Sequence, residues 1–155
     1  MNLAGTVQGD ASAGNDTLRS IEGITGSDFA DTYVATGYGV AGALNVGNNG
    51  TFNEVEGGRG NDTITGNGNT RIAFYSALDG VTADLSAGSS HGTVGGDVAN
   101  VGTDTFTGVN AVAGSAFNDI ITGSNNAANT TEEFAGCSRG RRRLLCWHYC
   151  FARLR

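Results

Sequence analysis

The sequence predicts an all-β fold, a parallel β-solenoid of short strands joined by Gly-Asp turns, and three observations carry that expectation. Glycine is abundant and proline absent, with 26 Gly and no Pro among 155 residues. Average glycine usage is about 7%, so the excess marks a chain full of turns. The sequence repeats itself, which is the signature of a stacked architecture. The runs between the turns are short, β-branched or aromatic, and closed by Gly, Asn or Asp. The length suits a single domain.

The repeat organises the chain. GTVQGD at 5–10 returns as GTVGGD at 92–97, and GNDT at 14–17 returns as GTDT at 102–105. GSDFADT at 26–32 then returns as GSAFNDI at 114–120. The offset is 87 residues, then 88 after a one-residue insertion near Val101. A second pair is interleaved, GNNGTFNEVEG at 47–57 with SNNAANTTEEFAG at 124–136. Residues 1–136 therefore hold about one and a half copies of a unit of roughly 80–90 residues. MNLAGT at 1–6 aligns with ADLSAG at 83–88. A strand equivalent to GVTAD would precede it, so Met1 reads as an internal or artificial start.

Taken in order, the expected strands are Thr63–Thr65, Arg71–Tyr75, Val81–Leu85 and Asp119–Thr122. No segment sustains a helical period with caps at both ends. Short strands punctuated by glycine suit stacked parallel coils, about seven of them at about 18 residues each. Phe29 and Phe117 occupy matching repeat positions, and both are expected in the core as an aromatic ladder.

Charge narrows the function classes. All 15 acidic residues lie within 1–136, beside only Arg19, Arg59 and Arg71, which leaves a net charge of −12 there. No nucleic-acid partner is expected, because phosphate affinity needs clustered Lys and Arg. The natural counter-ions of such a body are cations. It holds no Cys, so neither disulfides nor thiolate metal sites stabilise it. No apolar run is long enough for a membrane span. The first ten residues lack the basic and apolar regions of an ordinary signal peptide.

One motif carries chemistry. Residues 57–65 read GGRGNDTIT, filling each fixed position of the GGxGxDxUx nonapeptide, where U is a large apolar residue. Glycines permit the tight turn that aims several carbonyl oxygens at one spot. Asp62 adds a carboxylate, and Ile64 turns inward. Carbonyls with carboxylates suit Ca²⁺, a hard ion taking six to eight oxygens. The segment resembles the RTX, or hemolysin-type, calcium-binding repeat. GVTADLSAG at 80–88, the GxDTxxG region at 102–108 and the GSxFxD steps are similar to large repetitive bacterial surface and secreted proteins. The resemblance covers about residues 2–136. It implies Ca²⁺ as cofactor, folding coupled to the ion, export to the exterior or cell surface, and a site shared between turns about two nonapeptides apart.

The candidate metal residues are therefore Gly57, Gly58, Arg59, Gly60, Asn61 and Asp62. Asp79, seventeen residues beyond Asp62, and the turn residues Asp31 and Asp119 join them. The competing reading makes each Asp a metal-free turn residue that accepts backbone N–H bonds. The next nonapeptide, GNGNTRIAF at 66–74, lacks the Asp. No EF-hand pattern is present. His91, the only His of the body, reads as a surface turn residue rather than a triad member.

The tail 137–155 is a second region. It carries the three Cys, the Trp and six Arg. Its Cys spacing matches no usual zinc pairing, and by the internal alignment a second nonapeptide should begin at Gly136. The expectation is an unstructured or out-of-frame tail. The sequence thus predicts a non-enzymatic, calcium-binding structural or adhesin-type module, able to self-associate through open solenoid ends. A cell-surface or matrix partner is left undefined. The alternatives are the repeat domain of a secreted protease, lipase or polysaccharide-modifying enzyme, and a calcium-independent solenoid.

Overall fold

The computed structural model describes residues 1–2, 6, 17–47 and 49–124, and the backbone alone of 7–8, 15–16, 133–135, 137–138 and 145–146. Half of the repeat copy at 5–10, Gly14 of the copy at 14–17, most of the acidic stretch at 124–136 and most of the tail lie outside the described residues.

Among the described residues the fold is all-β, without helix. The strands are β1 (Thr6–Gln8), β2 (Asn15–Thr17), β3 (Gly23–Thr25), β4 (Thr32–Val34), β5 (Asn53–Glu56), β6 (Thr63–Ala73) and β7 (Val81–Asp84). They continue as β8 (Ser89–Gly92), β9 (Thr103–Ala113), β10 (Ile120–Thr122), β11 (Glu133–Ala135), β12 (Cys137–Ser138) and β13 (Leu145–Cys146). Nine of them, β3 to β11, form one sheet of mixed orientation that does not close on itself; β1–β2 and β12–β13 are separate antiparallel pairs.

The two long strands organise the sheet. The N-terminal half of β6 pairs in parallel with β4, and its C-terminal half pairs in parallel with β5. Strand β9 runs parallel to β6 through both halves, with a register break between Thr65 and Thr70. The break falls where glycines allow close approach: a Cβ on Gly66 would strike the Gly108 carbonyl.

Parallel register places like residues in line. Ile24, Val55, Ile72 and Val112 form one ladder. Tyr33, Ile64 and Phe106 form a second. All but Ile24 are buried, and Val112 is fully so. Burying each such side chain contributes about 1.5–3 kcal/mol, so the ladders are the main apolar glue between strands.

Three expectations need correction. The coil length is not uniform, because in-register residues are 17 apart between β5 and β6, 31 between β4 and β6, and 42 between the N-terminal halves of β6 and β9. Loops of unequal length are accommodated outside the ladders, where chain length has little energetic consequence. The sheet is not wholly parallel either, since β8 pairs antiparallel with both β7 and β9. The reversal comes from the turn after Asp84, whose carboxylate accepts Ser86 N–H, Ala87 N–H and the Ser86 hydroxyl. Phe29 and Phe117 are not core residues. They are 78% and 44% exposed, at turn positions outside the strands. The buried aromatics are instead Tyr33, Tyr38, Phe74 and Phe106.

Candidate functional site

The turns that precede the strands stack on one another. The turn 57–62 lies against 26–31, where a Cβ on Gly60 would stand 2.5 Å from the Phe29 carbonyl carbon and 2.7 Å from Ala30 N. Gly60 also has φ +98°, a conformation that L side chains rarely adopt. On its other side the turn meets Gly102, and Asn61 Oδ1 accepts the Thr103 N–H at 2.9 Å. The backbone can pack this tightly only because these positions are glycine.

Asp31 and Asp62 end their turns, Asp104 stands second in β9, and the three aspartates fall in register. Asp31, Asp62 and Asp104 each precede the first paired residue of their rung, Thr32, Thr63 and Thr105. Their bonding follows one rule. Asp62 Oδ1 accepts Asp31 N–H at 2.8 Å, and Asp104 Oδ1 accepts Asp62 N–H at 3.0 Å. Asp119 repeats the rule further along the sheet, its Oδ1 accepting Val81 N–H at 2.9 Å. The carboxylates of Asp62, Asp104 and Asp119 thus each satisfy a backbone donor of the neighbouring rung, one that burial would otherwise leave orphaned.

The second oxygen of each aspartate behaves differently. Asp31 Oδ2 accepts the Ser27 N–H and hydroxyl at 2.8 and 2.9 Å. Asp119 Oδ2 accepts the Ser115 N–H at 2.9 Å, while the Ser115 hydroxyl donates to Asp119 Oδ1 at 2.6 Å. Asp104 Oδ2 accepts the buried Ser90 hydroxyl at 3.1 Å. Asp62 is 1% exposed, and its Oδ2 is buried with no hydrogen-bond partner. An unmatched buried acceptor costs about 1–3 kcal/mol, more for a charged group.

Oxygens gather around this orphan. A Cβ on Gly57 would collide with Asp62 Oδ2. A Cβ on Gly26 would collide with the Tyr33 hydroxyl and the Gly57 carbonyl, and would lie 2.8 Å from Asp31 Oδ2. The Tyr33 hydroxyl donates to the Gly57 carbonyl at 3.5 Å. The electrostatics match the crowding of negative groups. Burial raises the Asp62 pKa, and the Asp31 charge adds to it. Burial lifts Asp104 to about 7, with the Asp62 charge adding. The Tyr33 phenol is raised by burial and then by Asp31, Asp62 and Asp104. Every one of these groups resists further negative charge, and a cation or a proton relieves all of them together.

The donor set around Asp62 fits a hard cation: all oxygen, two of its groups carboxylates, with one buried oxygen unmatched. Among the described residues no three His, Cys, Asp or Glu side chains gather into a metal-binding group. A cation here would rest on the Gly57 carbonyl and Tyr33 hydroxyl beside Asp62 and Asp31.

The other sequence candidates are placed as follows. Gly58 packs against the Ser27 carbonyl. Arg59 is exposed and meets Asp28 at 3.4 Å, a surface pair worth little. Asp79 stands ahead of β7 and accepts the N–H of Gly80, which packs against the Asn118 carbonyl. It thus belongs with the Asp119 turn; the carboxylates bonded along the Asp62 stack are 31 and 42 residues away. Asp104 and Ser90 complete the stack and were not among the sequence candidates. The available signal was Asp-Thr at the head of a strand, shared by Asp31, Asp62 and Asp104. His91 is exposed, in β8 rather than in a turn.

Among the described residues no helix is long and apolar enough to cross a membrane. No family model, curated protein or solved structure matches the chain.

Proposed function

We propose that the chain is a non-catalytic structural module of an exported repeat protein, a β-solenoid interrupted by one antiparallel hairpin, whose Gly57–Asp62 turn binds Ca²⁺. The observation that carries the proposal is the buried, unmatched Oδ2 of Asp62, set among the Gly57 carbonyl, the Tyr33 hydroxyl and Asp31. Asp62 would hold the ion, with Asp31 and the Gly57 carbonyl beside it. The bound ion supplies charge neutralisation and links the 26–31 turn to the 57–62 turn. Whatever binds the folded form alone stabilises it by mass action, and a body of charge −12 repels itself without counter-ions. The RTX-like nonapeptide supports the same reading and adds the exterior or cell surface as the place of action, in an adhesin-type or spacer role.

A second reading makes the stack a metal-free scaffold. It is favoured by the backbone N–H groups that already occupy Asp62 Oδ1, Asp104 Oδ1 and Asp119 Oδ1. Isothermal titration of the chain with CaCl₂ separates the two, using Asp62→Asn as the control. The calcium reading expects heat with a saturating isotherm that Asp62→Asn abolishes. No saturable heat in either protein leaves the metal-free scaffold.

A further inference from the structure

We propose that the outer face of β5 and the C-terminal half of β6, with the adjoining Tyr75, is a binding site for a neutral polysaccharide, with Tyr75 as the stacking face and Arg71 paired with Glu54 as the hydrogen-bonding group. Alternation along β5 sends Val55 inward and leaves Glu54 and Glu56 outward; on β6, Ile72 is inward and Arg71 outward. These outward residues are tied to one another. Arg71 Nε donates to Glu54 Oε2, and the Arg71 guanidinium lies 5.1 Å from the centre of the Phe52 ring. The Tyr75 hydroxyl donates to the same Glu54 oxygen at 3.1 Å, while Glu56 Oε1 accepts Ser76 N–H at 2.7 Å.

The consequence is an aromatic side chain held still at the surface. Tyr75 remains 56% exposed, although its hydroxyl and the neighbouring backbone are both anchored by glutamates. Fixing side chains beforehand removes an entropic cost that binding would otherwise carry. Arg71 is held through Nε and its flat face, which leaves the outer edge of the guanidinium for a ligand. A sugar ring offers one face of C–H groups and a rim of vicinal hydroxyls. The first suits an aromatic plane; the second needs a donor and an acceptor side by side, which Arg71 and Glu54 supply. Two glutamates against one arginine leave the patch negative, and this disfavours uronate or sulfated chains. The face is distinct from the aspartate stack and does not rest on the calcium reading.

The test is retention of the full chain on insoluble β-1,3-glucan and cellulose, with polygalacturonate gel as the acidic comparison. Tyr75→Ala and Tyr75→Phe are run beside it, and far-UV circular dichroism verifies that both fold as the parent does. The expected result is retention on a neutral glucan, weakened at least tenfold by Tyr75→Ala and less than threefold by Tyr75→Phe. No retention on either glucan, stronger retention on polygalacturonate, or undiminished retention of Tyr75→Ala would overturn the proposal.

Discussion

Replacing Asp104 with Asn should make the protein more stable at neutral pH and leave it unchanged in acid. Asp104 is 3% exposed, and burial raises its carboxyl from 3.8 to about 7 in the folded chain. The folded state therefore holds this proton more tightly than the unfolded state. Stability from the group is fully present below about pH 4 and is lost as pH rises toward 7, since stability falls wherever the native state binds more protons. At about 1.4 kcal/mol per pH unit, the loss across that window is about 4 kcal/mol. Asparagine presents a neutral oxygen to the Asp62 N–H and an N–H₂ to the Ser90 hydroxyl, so the bonding pattern survives. The assay is urea unfolding followed by far-UV circular dichroism at five pH values from 4 to 8, in EGTA. The difference between variant and parent cancels the repulsion among the other carboxylates. It should grow from about zero at pH 4 to several kcal/mol at pH 8. A difference that is flat, or that favours the parent at pH 8, would refute the reasoning.

Other substitutions test the ladders and turns by the same unfolding assay. Ile72→Ala should cost about 3 kcal/mol, because Ile72 is 2% exposed between Val55 and Val112 and core truncation of this kind costs 2–5 kcal/mol. Phe29→Ser should change stability by no more than about 0.5 kcal/mol, as expected for an exposed position; a larger loss would return Phe29 to the core. Gly60→Ala should destabilise by more than about 2 kcal/mol, combining positive φ with collision against the Phe29–Ala30 backbone. Gly68→Ala, with φ +84° but open space around it, should cost only about 1 kcal/mol, and an equal loss at the two sites would contradict the stacked-turn geometry.

What was legible in the sequence is what short-range chemistry decides. The nonapeptide announced the turn around Asp62, and GSDFAD and GSAFND announced Asp31 and Asp119, because glycine and aspartate at fixed spacing dictate local backbone shape. The strand segments at 63–65 and 71–75 were legible as β-branched and aromatic runs, although 63–65 and 71–73 prove to be the two ends of the single strand β6 and Phe74 and Tyr75 lie beyond it. Register was not legible. Asp79 was paired with Asp62 on the assumption of an even coil, whereas loops of unequal length place Asp31 and Asp104 there. Asp104 carries a weaker signal, because the segment before it keeps only Gly102 of the glycine pattern. Strand β8, SSHG, has no strand-like composition; it forms because the Asp84 turn returns the chain alongside β7. Phe29 and Phe117 misled for the opposite reason, since an aromatic in a Gly-Ser-Asp turn is placed by the turn and not by its own hydrophobicity.

The measurement that bears most directly on the central claim is far-UV circular dichroism of the chain in EGTA, followed by titration with Ca²⁺ and separately with Mg²⁺. Calcium-linked folding of the Asp62 turn predicts that β signal or thermal stability rises with Ca²⁺, not with Mg²⁺, and that Asp62→Asn removes the response. A spectrum already β-rich in EGTA, with a melting temperature indifferent to Ca²⁺, would contradict it and leave the aspartate stack as a purely structural device.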